Sequence, residues 1–405
     1  MTGLLAKLSV TAVLLLACAD RAFGCVTDSD CQLNGACDAP SSTCKCDKGW
    51  MGDNCGTLHL DPEAHVAYGH GSGPGSLNHS SWGGGPPVYD RATGKYHLFV
   101  SELAAHCGMS TWMRMSQSVR ATADSPEGPY TRQEVVIGTE SHNTYYGYSP
   151  TDGMHLIYTI FPGESPRSCN PPPPNCSNGV TPGGDQLHYR GPWASNTCNS
   201  TGKRTNIRSS RSLLGPWETH AIDFSYDAAP NGTAPPNCGT SNPAPYVFPN
   251  GTVLMVARGK DGGFVNHTHV LYHNIWLYRA PAWNATYEWV PSDGVNGALK
   301  VGAGTAGPPT EDPTLYRGRR GFHILFHSSP DLTHAWSEDG LSWSWNKTVM
   351  GPAELRPLGG GDNERPRVLL DDDGDLDWVF VGQLLPPGGS SNVSDAARTA
   401  AFRAL

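Results

Sequence analysis

A mostly β fold built from repeated hairpins is the class this sequence predicts, and three observations predict it. The 405 residues include 48 glycines and 34 prolines, about a fifth of the chain, and both residues weaken helix interiors and favour turns. Short apolar runs recur with Asn-Gly or Asp-Gly between them, a strong local hairpin signal. The hairpins return five times, at about 70 residues each, the period of a repeat architecture. Net charge is −9 with scattered basic residues, which excludes a nucleic-acid footprint. Past the first residues no stretch approaches 18 apolar positions, so no membrane span is expected.

The first element is a leader. Lys7 precedes an apolar run from Leu8 to Cys18, and Ala22-Phe23-Gly24 supplies small residues for cleavage. This is the order of a secretory signal peptide, placed at 1–24. Nine Asn-x-Ser/Thr acceptors, at Asn78, Asn175, Asn199, Asn231, Asn250, Asn266, Asn284, Asn346 and Asn392, fit a secreted, extracellular glycoprotein.

The second element is a small disulfide module. Six cysteines, Cys25, Cys31, Cys37, Cys44, Cys46 and Cys55, crowd into 31 residues, too few to bury a core without cross-links. Spacing alone leaves about 15 connectivities open. Cys44-Lys45-Cys46 followed by Gly49-Trp50-Met51-Gly52 and Cys55 resembles the end of an EGF-like domain, over residues 25–56. That resemblance implies the pairs Cys25–Cys37, Cys31–Cys44 and Cys46–Cys55. It also implies a spacer or adhesion unit, with an extracellular protein as a possible partner. With no cysteine left over, the module is expected to be separable from the rest. Arg21-Ala22-Phe23-Gly24 before Cys25 lack the acids of calcium-binding members.

From residue 57 to 405 the hairpins follow. Val88-Tyr89 and Tyr96–Val100 flank Thr93-Gly94; His142–Tyr145 and His155–Tyr158 flank Asp152-Gly153; Asn242–Val247 and Val253–Val256 flank Asn250-Gly251. Glu311–Tyr316 and Phe322–Phe326 flank Gly321, and Glu364–Leu369 and Leu376–Phe380 flank Asp373-Gly374. A second hairpin type recurs at Ala121–Tyr130, Ser210–Trp217 and Ser337–Trp343, each with an aromatic return strand. Two hairpins per repeat make four strands, so the expectation is a five-bladed β-propeller. Residues near 162–204, with Pro171–Pro174, Cys169, Cys176 and Cys198, read as an inserted loop braced by disulfides. With Cys107 and Cys238 added, five cysteines lie outside the module, so one is left over.

In a propeller the residues opening each repeat converge on one channel mouth. That set is Gly85, His142-Asn143, Asn242, Glu311-Asp312 and Glu364-Arg365. Paired carboxylates in one cleft suit glycosidic cleavage, one protonating the leaving oxygen and the other activating water or attacking. The openings, with Ser125-Pro126-Glu127-Gly128-Pro129-Tyr130, resemble five-bladed glycoside hydrolases of the arabinanase, β-xylosidase and invertase type, over roughly residues 60–385. The resemblance implies an acid at Glu311, a pKa-modulating carboxylate at Asn242, which is an amide, and a base at Gly85, which has no side chain. Glu311 is therefore expected as general acid, with Asp312 or Glu364 as second carboxylate. His142, Asn143, Asn242 and Arg365 are expected to position an oligo- or polysaccharide.

No cofactor or metal is expected. His267, His269 and His273 share a strand face beside the acceptor at Asn266, and Asp371–Asp375 has Phe380 where a calcium loop needs glutamate. No phosphate-cradling loop and no Gly-x-Ser-x-Gly elbow occurs. Trp50, Trp112, Trp217, Trp283, Trp336 and Trp343 either stack on sugar or pack between blades. The function expected is hydrolysis of a glycosidic bond; the alternative is a noncatalytic glycan-binding or adhesion protein on the same scaffold.

Overall fold

The computed structural model describes residues 24–70, 79–160, 205–225, 241–265, 268–290, 298–299, 310–328, 331–350, 363–385 and 395–405. The leader, the insertion near 162–204, Cys169, Cys176, Cys198, Cys238, Asn78, Asn175, Asn199, Asn231, Asn266 and Asn392 fall outside them, as do the side chains of His267, His269 and His273.

The fold is a five-bladed propeller. Blade 1 runs outward from Ser81–Gly84 through Lys95–Leu103 and Ser116–Ala123 to Thr131–Ile137, with Val88–Asp90 also on the second strand. Blade 2 comprises His142–Ser149, Met154–Ile160, Thr205–Ser210 and Glu218–Ala221. Blade 3 comprises Ser241–Val247, Val253–Val265, Thr268–Ala280 and Tyr287–Trp289, with Phe224–Ser225 parallel to its outer edge. Blade 4 comprises Thr310–Arg317, Phe322–Ser328, Asp331–Ser337 and Ser344–Met350. In blade 5, Asn363–Leu370, Leu376–Leu384 and Ala397–Arg403 are completed by His65–Gly69 from the front of the chain.

The inner hairpins are the five read from turn chemistry. The aromatic return turn also has a fourth copy, at Ala280-Pro281-Ala282-Trp283 in blade 3. Blade 5 lacks one because its outer strand comes from elsewhere in the sequence. Between blades the core is aliphatic and aromatic: Met255, Leu277, Leu315 and Ile324 join blades 3 and 4, while Tyr68, Leu98, Val119 and Phe380 join blades 5 and 1.

Three disulfides, Cys25–Cys37, Cys31–Cys44 and Cys46–Cys55, hold the N-terminal module. Cys107 is also disulfide-bonded, to a cysteine outside the described residues. The module is seated on blades 4 and 5, not merely tethered to them. Cys31, Trp50, Cys55 and Leu58 share one apolar cluster with Leu325, Leu332, Leu376 and Phe402. Arg320 pairs with Asp28 and Asp47, Lys48 pairs with Asp371 and Asp377, and the Gly49 amide donates to the Leu405 carbonyl at 2.8 Å. The acidic run Asp371–Asp375 is a hairpin turn, with Asp371 accepting from the amides of Asp373 and Asp375. This seat lies at the turn end of the inner hairpins, roughly 20 Å along the strand from Glu311.

Candidate active site

Each inner strand begins with a register slip, at Ser81/Gly84, His142/Tyr145, Ser241/Ala244, Glu311/Thr314 and Glu364/Arg367. Such bulges re-aim side chains beside functional sites. One residue in each slip has positive φ: Gly83 (66°), Asn143 (57°), Asn242 (54°), Asp312 (53°) and Arg365 (57°). The first-blade counterpart is therefore Trp82-Gly83, which corrects the expectation of Gly85. Gly85, two residues further on, is a backbone partner of Phe99.

Four of the five positive-φ residues form a linked arc around the axis that ends on the carbonyl of Trp82, beside the fifth, Gly83. Asn143 Nδ2 donates to Asn242 Oδ1, and Asn242 Nδ2 donates to Asp312 Oδ1 at 2.5 Å. Asp312 Oδ1 lies 3.3 Å from Arg365 Nε, and an Arg365 terminal nitrogen donates to the Trp82 carbonyl at 3.0 Å. All four side chains are buried, with 1–6% residue exposure. This explains the amide at 242. A relay that accepts from one neighbour and donates to a carboxylate needs both ends of an amide, whereas an aspartate there would face Asp312 with like charge. A Cβ on Gly83 would sit 3.0 Å from Arg365 Cβ. Gly83→Ala is expected to lower stability by about 1–3 kcal/mol, from positive φ and crowding together; chemical denaturation with an unchanged midpoint would refute this.

The residues just before these five are Trp82, His142, Ser241, Glu311 and Glu364. His142 is 1% exposed and bonded at both nitrogens: Arg365 donates to Nε2 at 2.6 Å, so Nδ1–H donates to Ser116 Oγ at 2.6 Å. Trp112 stacks on it at 4.7 Å. Burial, then the Arg365 charge, holds His142 well below the usual histidine range, so the ring is neutral. His142, Asn143, Asn242 and Arg365 thus come together, but as a floor under the mouth.

Glu311 and Glu364 are the two that face upward, each 22% exposed at the side chain. With His327 they place one donor atom each within 4.8 Å of one another, a set with the chemistry to share a proton or hold a divalent cation. Arg258 pairs with Glu311 at 2.6 Å. Glu364 accepts from Trp82 Nε1 at 3.2 Å and lies 3.8 Å from His327 Nδ1. Burial, then the negative charges of Asp312 and Glu311, outweighs Arg365 and pushes the Glu364 carboxyl up to about 8. Asp312 is 1% exposed and bound to Asn242 and Arg365, so Glu364 is the carboxyl that meets Glu311 at the opening.

Trp82, Arg258 and His327 were not found as site residues from sequence, and Trp112, singled out as a sugar-stacking or packing tryptophan, stacks on His142. Register would have found two of them: Arg258 lies opposite Ser241, and His327 opposite Glu311. The far end of each second strand meets the opening of the first.

No family model and no curated protein matches this sequence. In shape the chain is similar to a family 117 glycoside hydrolase from the marine bacterium Zobellia galactanivorans, at 14% identity and TM-score 0.52, covering 84% of this chain and 89% of that one. A thermostable family-43 glycoside hydrolase matches at 13% identity and TM-score 0.47, over 80% and 89% of the two chains. A putative exo-beta-1,3-galactanase from Bifidobacterium bifidum s17 matches at 10% identity and TM-score 0.46, over 83% and 92%. The first likeness is one of fold, and the five-bladed propeller is the class it defines.

Proposed function

We propose that the chain is an exported carbohydrate-active enzyme that hydrolyses a glycosidic bond at the propeller mouth. The observation that carries this reading is the electrostatic asymmetry of two adjacent glutamates. Glu364 keeps its proton near neutrality and is the general acid, whereas Glu311, paired with Arg258, is the second carboxylate that attacks or activates water. The acid thus falls on Glu364 and not, as the resemblance implies, on Glu311, and charge is the reason: among the described residues Glu364 has no cationic partner as close as Arg258 is to Glu311. Trp82 Nε1 holds the acid by a hydrogen bond, and the linked arc below fixes both strand openings. Oligo- or polysaccharide is the substrate class. Export is supported by the leader, by disulfides, and by exposed Asn250 and Asn284 acceptors. No helix among the described residues is long and apolar enough to cross a membrane.

Because the acid must be protonated, turnover should be retained below the Glu364 pKa and fall as pH rises through about 8. A pH–rate profile of product release from a panel of plant, algal and animal glycans checks this. Flat activity up to pH 9.5 would remove Glu364 from the acid role. Binding without turnover on every glycan would favour a noncatalytic glycan-binding protein instead.

A further inference from the structure

Beneath the N-terminal module a column of rings runs through blade 4. Tyr316, His323, His334 and Trp336 follow one another at centroid spacings of 5.1, 5.3 and 5.5 Å, with successive planes within 21°. Trp50 of the module closes over His334 at 4.8 Å. His323 and His334 are 2% and 0% exposed. Their facing nitrogens are 3.0 Å apart, so one carries the proton and the other accepts it, a geometry that requires at least one neutral ring. The remaining nitrogen of His334 meets two module side chains, Gln32 Oε1 at 3.4 Å and Asn34 Nδ2 at 3.5 Å.

The charged groups around this column are engaged at its rim. Asp28 and Asp47 of the module pair with Arg320 of the blade 4 turn, and Asp371 and Asp377 of blade 5 pair with Lys48 of the module. Asp375 of blade 5 pairs with Arg319 of the same blade 4 turn. Among the described residues, neither histidine has an ion-pair partner. A second positive charge on the pair would therefore be buried and uncompensated.

We propose that the module is a pH-sensitive clamp, docked on blade 4 while His323 and His334 are neutral and released when they take up protons. Trp50, Gln32 and Asn34 are module side chains that touch His334 directly, so lifting the module uncovers the ring and relieves the charge without opening the blades. Burial pushes His323 down to about 3, and burial with the neighbouring ring holds His334 well below its ordinary value. Since the docked values lie below the undocked ones, docking is fully favoured above about pH 6.5 and weakens as pH falls below it. One ring recovering its ordinary value weakens docking about thirtyfold between pH 7.5 and 5.0. Among the rim carboxylates, burial and the neighbouring charges of Asp47 and Asp371 raise Asp375, whose partner Arg319 belongs to blade 4 and not to the module.

Hydrogen exchange of the folded chain at pH 7.5 and 5.0, corrected for intrinsic rates, reads this directly. Protection of the segment holding Gly49, Trp50 and Leu58 should fall at least tenfold at pH 5.0, while the segment holding Leu325 and Ala335 stays protected. In His323→Phe/His334→Gln the pH dependence should vanish. If that variant fails to fold, titration of the two imidazoles by NMR in the unmodified chain decides the matter. Uniform loss of protection, no loss at all, equal loss in the double variant, or ring pKa values near 6.5 would each overturn the clamp.

Discussion

Glu364→Gln is expected to reduce turnover on an unactivated glycan by about 100-fold or more, since positioned proton transfer contributes at least that much. Gln keeps the side chain's length and its acceptor for Trp82 Nε1, so ground-state binding should survive. The loss should shrink on an aryl glycoside whose leaving group needs no proton. Glu311→Gln should lose activity on both substrates, because the attacking or water-activating carboxylate is then gone. Measuring both variants on both substrates separates the roles. Equal losses for the two variants on the activated substrate would overturn the assignment of Glu364 as acid. Unimpaired turnover by both would remove the pair from the chemistry altogether.

Arg365→Ala is expected to destabilise the fold by about 3–5 kcal/mol, the scale for removing one partner of a buried ion pair. Arg365 neutralises Asp312 and bonds His142 and the Trp82 carbonyl, so three blades lose a shared partner at once. The Arg365–Asp312 pair predicts a specific rescue. Asp312→Asn on the Arg365→Ala background removes the stranded charge and should recover a substantial part of the loss, although Asp312→Asn alone should be destabilising. Denaturant melts of the four proteins make the cycle. Additive losses would show that the two side chains act independently.

The hairpins were legible because their information is local: Asn250-Gly251, Asp152-Gly153 and Asp373-Gly374 specify turns without reference to anything distant. Convergence of Glu311 and Glu364 at one mouth was also legible, since it follows from the repeat alone. The first blade misled for a physical reason. Asn242-Pro243, Asp312-Pro313 and Arg365-Pro366 put the positive-φ residue directly before proline, and Gly85-Pro86 imitates that pattern two residues too late. Role assignment was not legible because the Arg258–Glu311 pair and the Trp82–Glu364 hydrogen bond depend on how blades 1, 3, 4 and 5 meet. The seat of the N-terminal module was hidden for a similar reason. Six cysteines bonded among themselves look self-sufficient, yet Trp50 is an apolar surface that small module cannot cover by itself.

His65–Gly69 pairs with Ala397–Arg403, with Gly69 opposite Arg398, and that pairing closes the blades into a circle through strands from opposite ends of the propeller sequence. About 330 residues must be synthesised between the two partners, so this is among the last contacts able to form and among the slowest, given the entropy of closing so long a loop. Until it forms, blade 5 presents an open edge that is a template for pairing with another chain. New termini cut between two blades, with the present ends joined by a linker, would shorten the stretch between the partners from about 330 residues to the linker and the residues before His65. Such a circular permutant should reach the same structure by a faster and less aggregation-prone route.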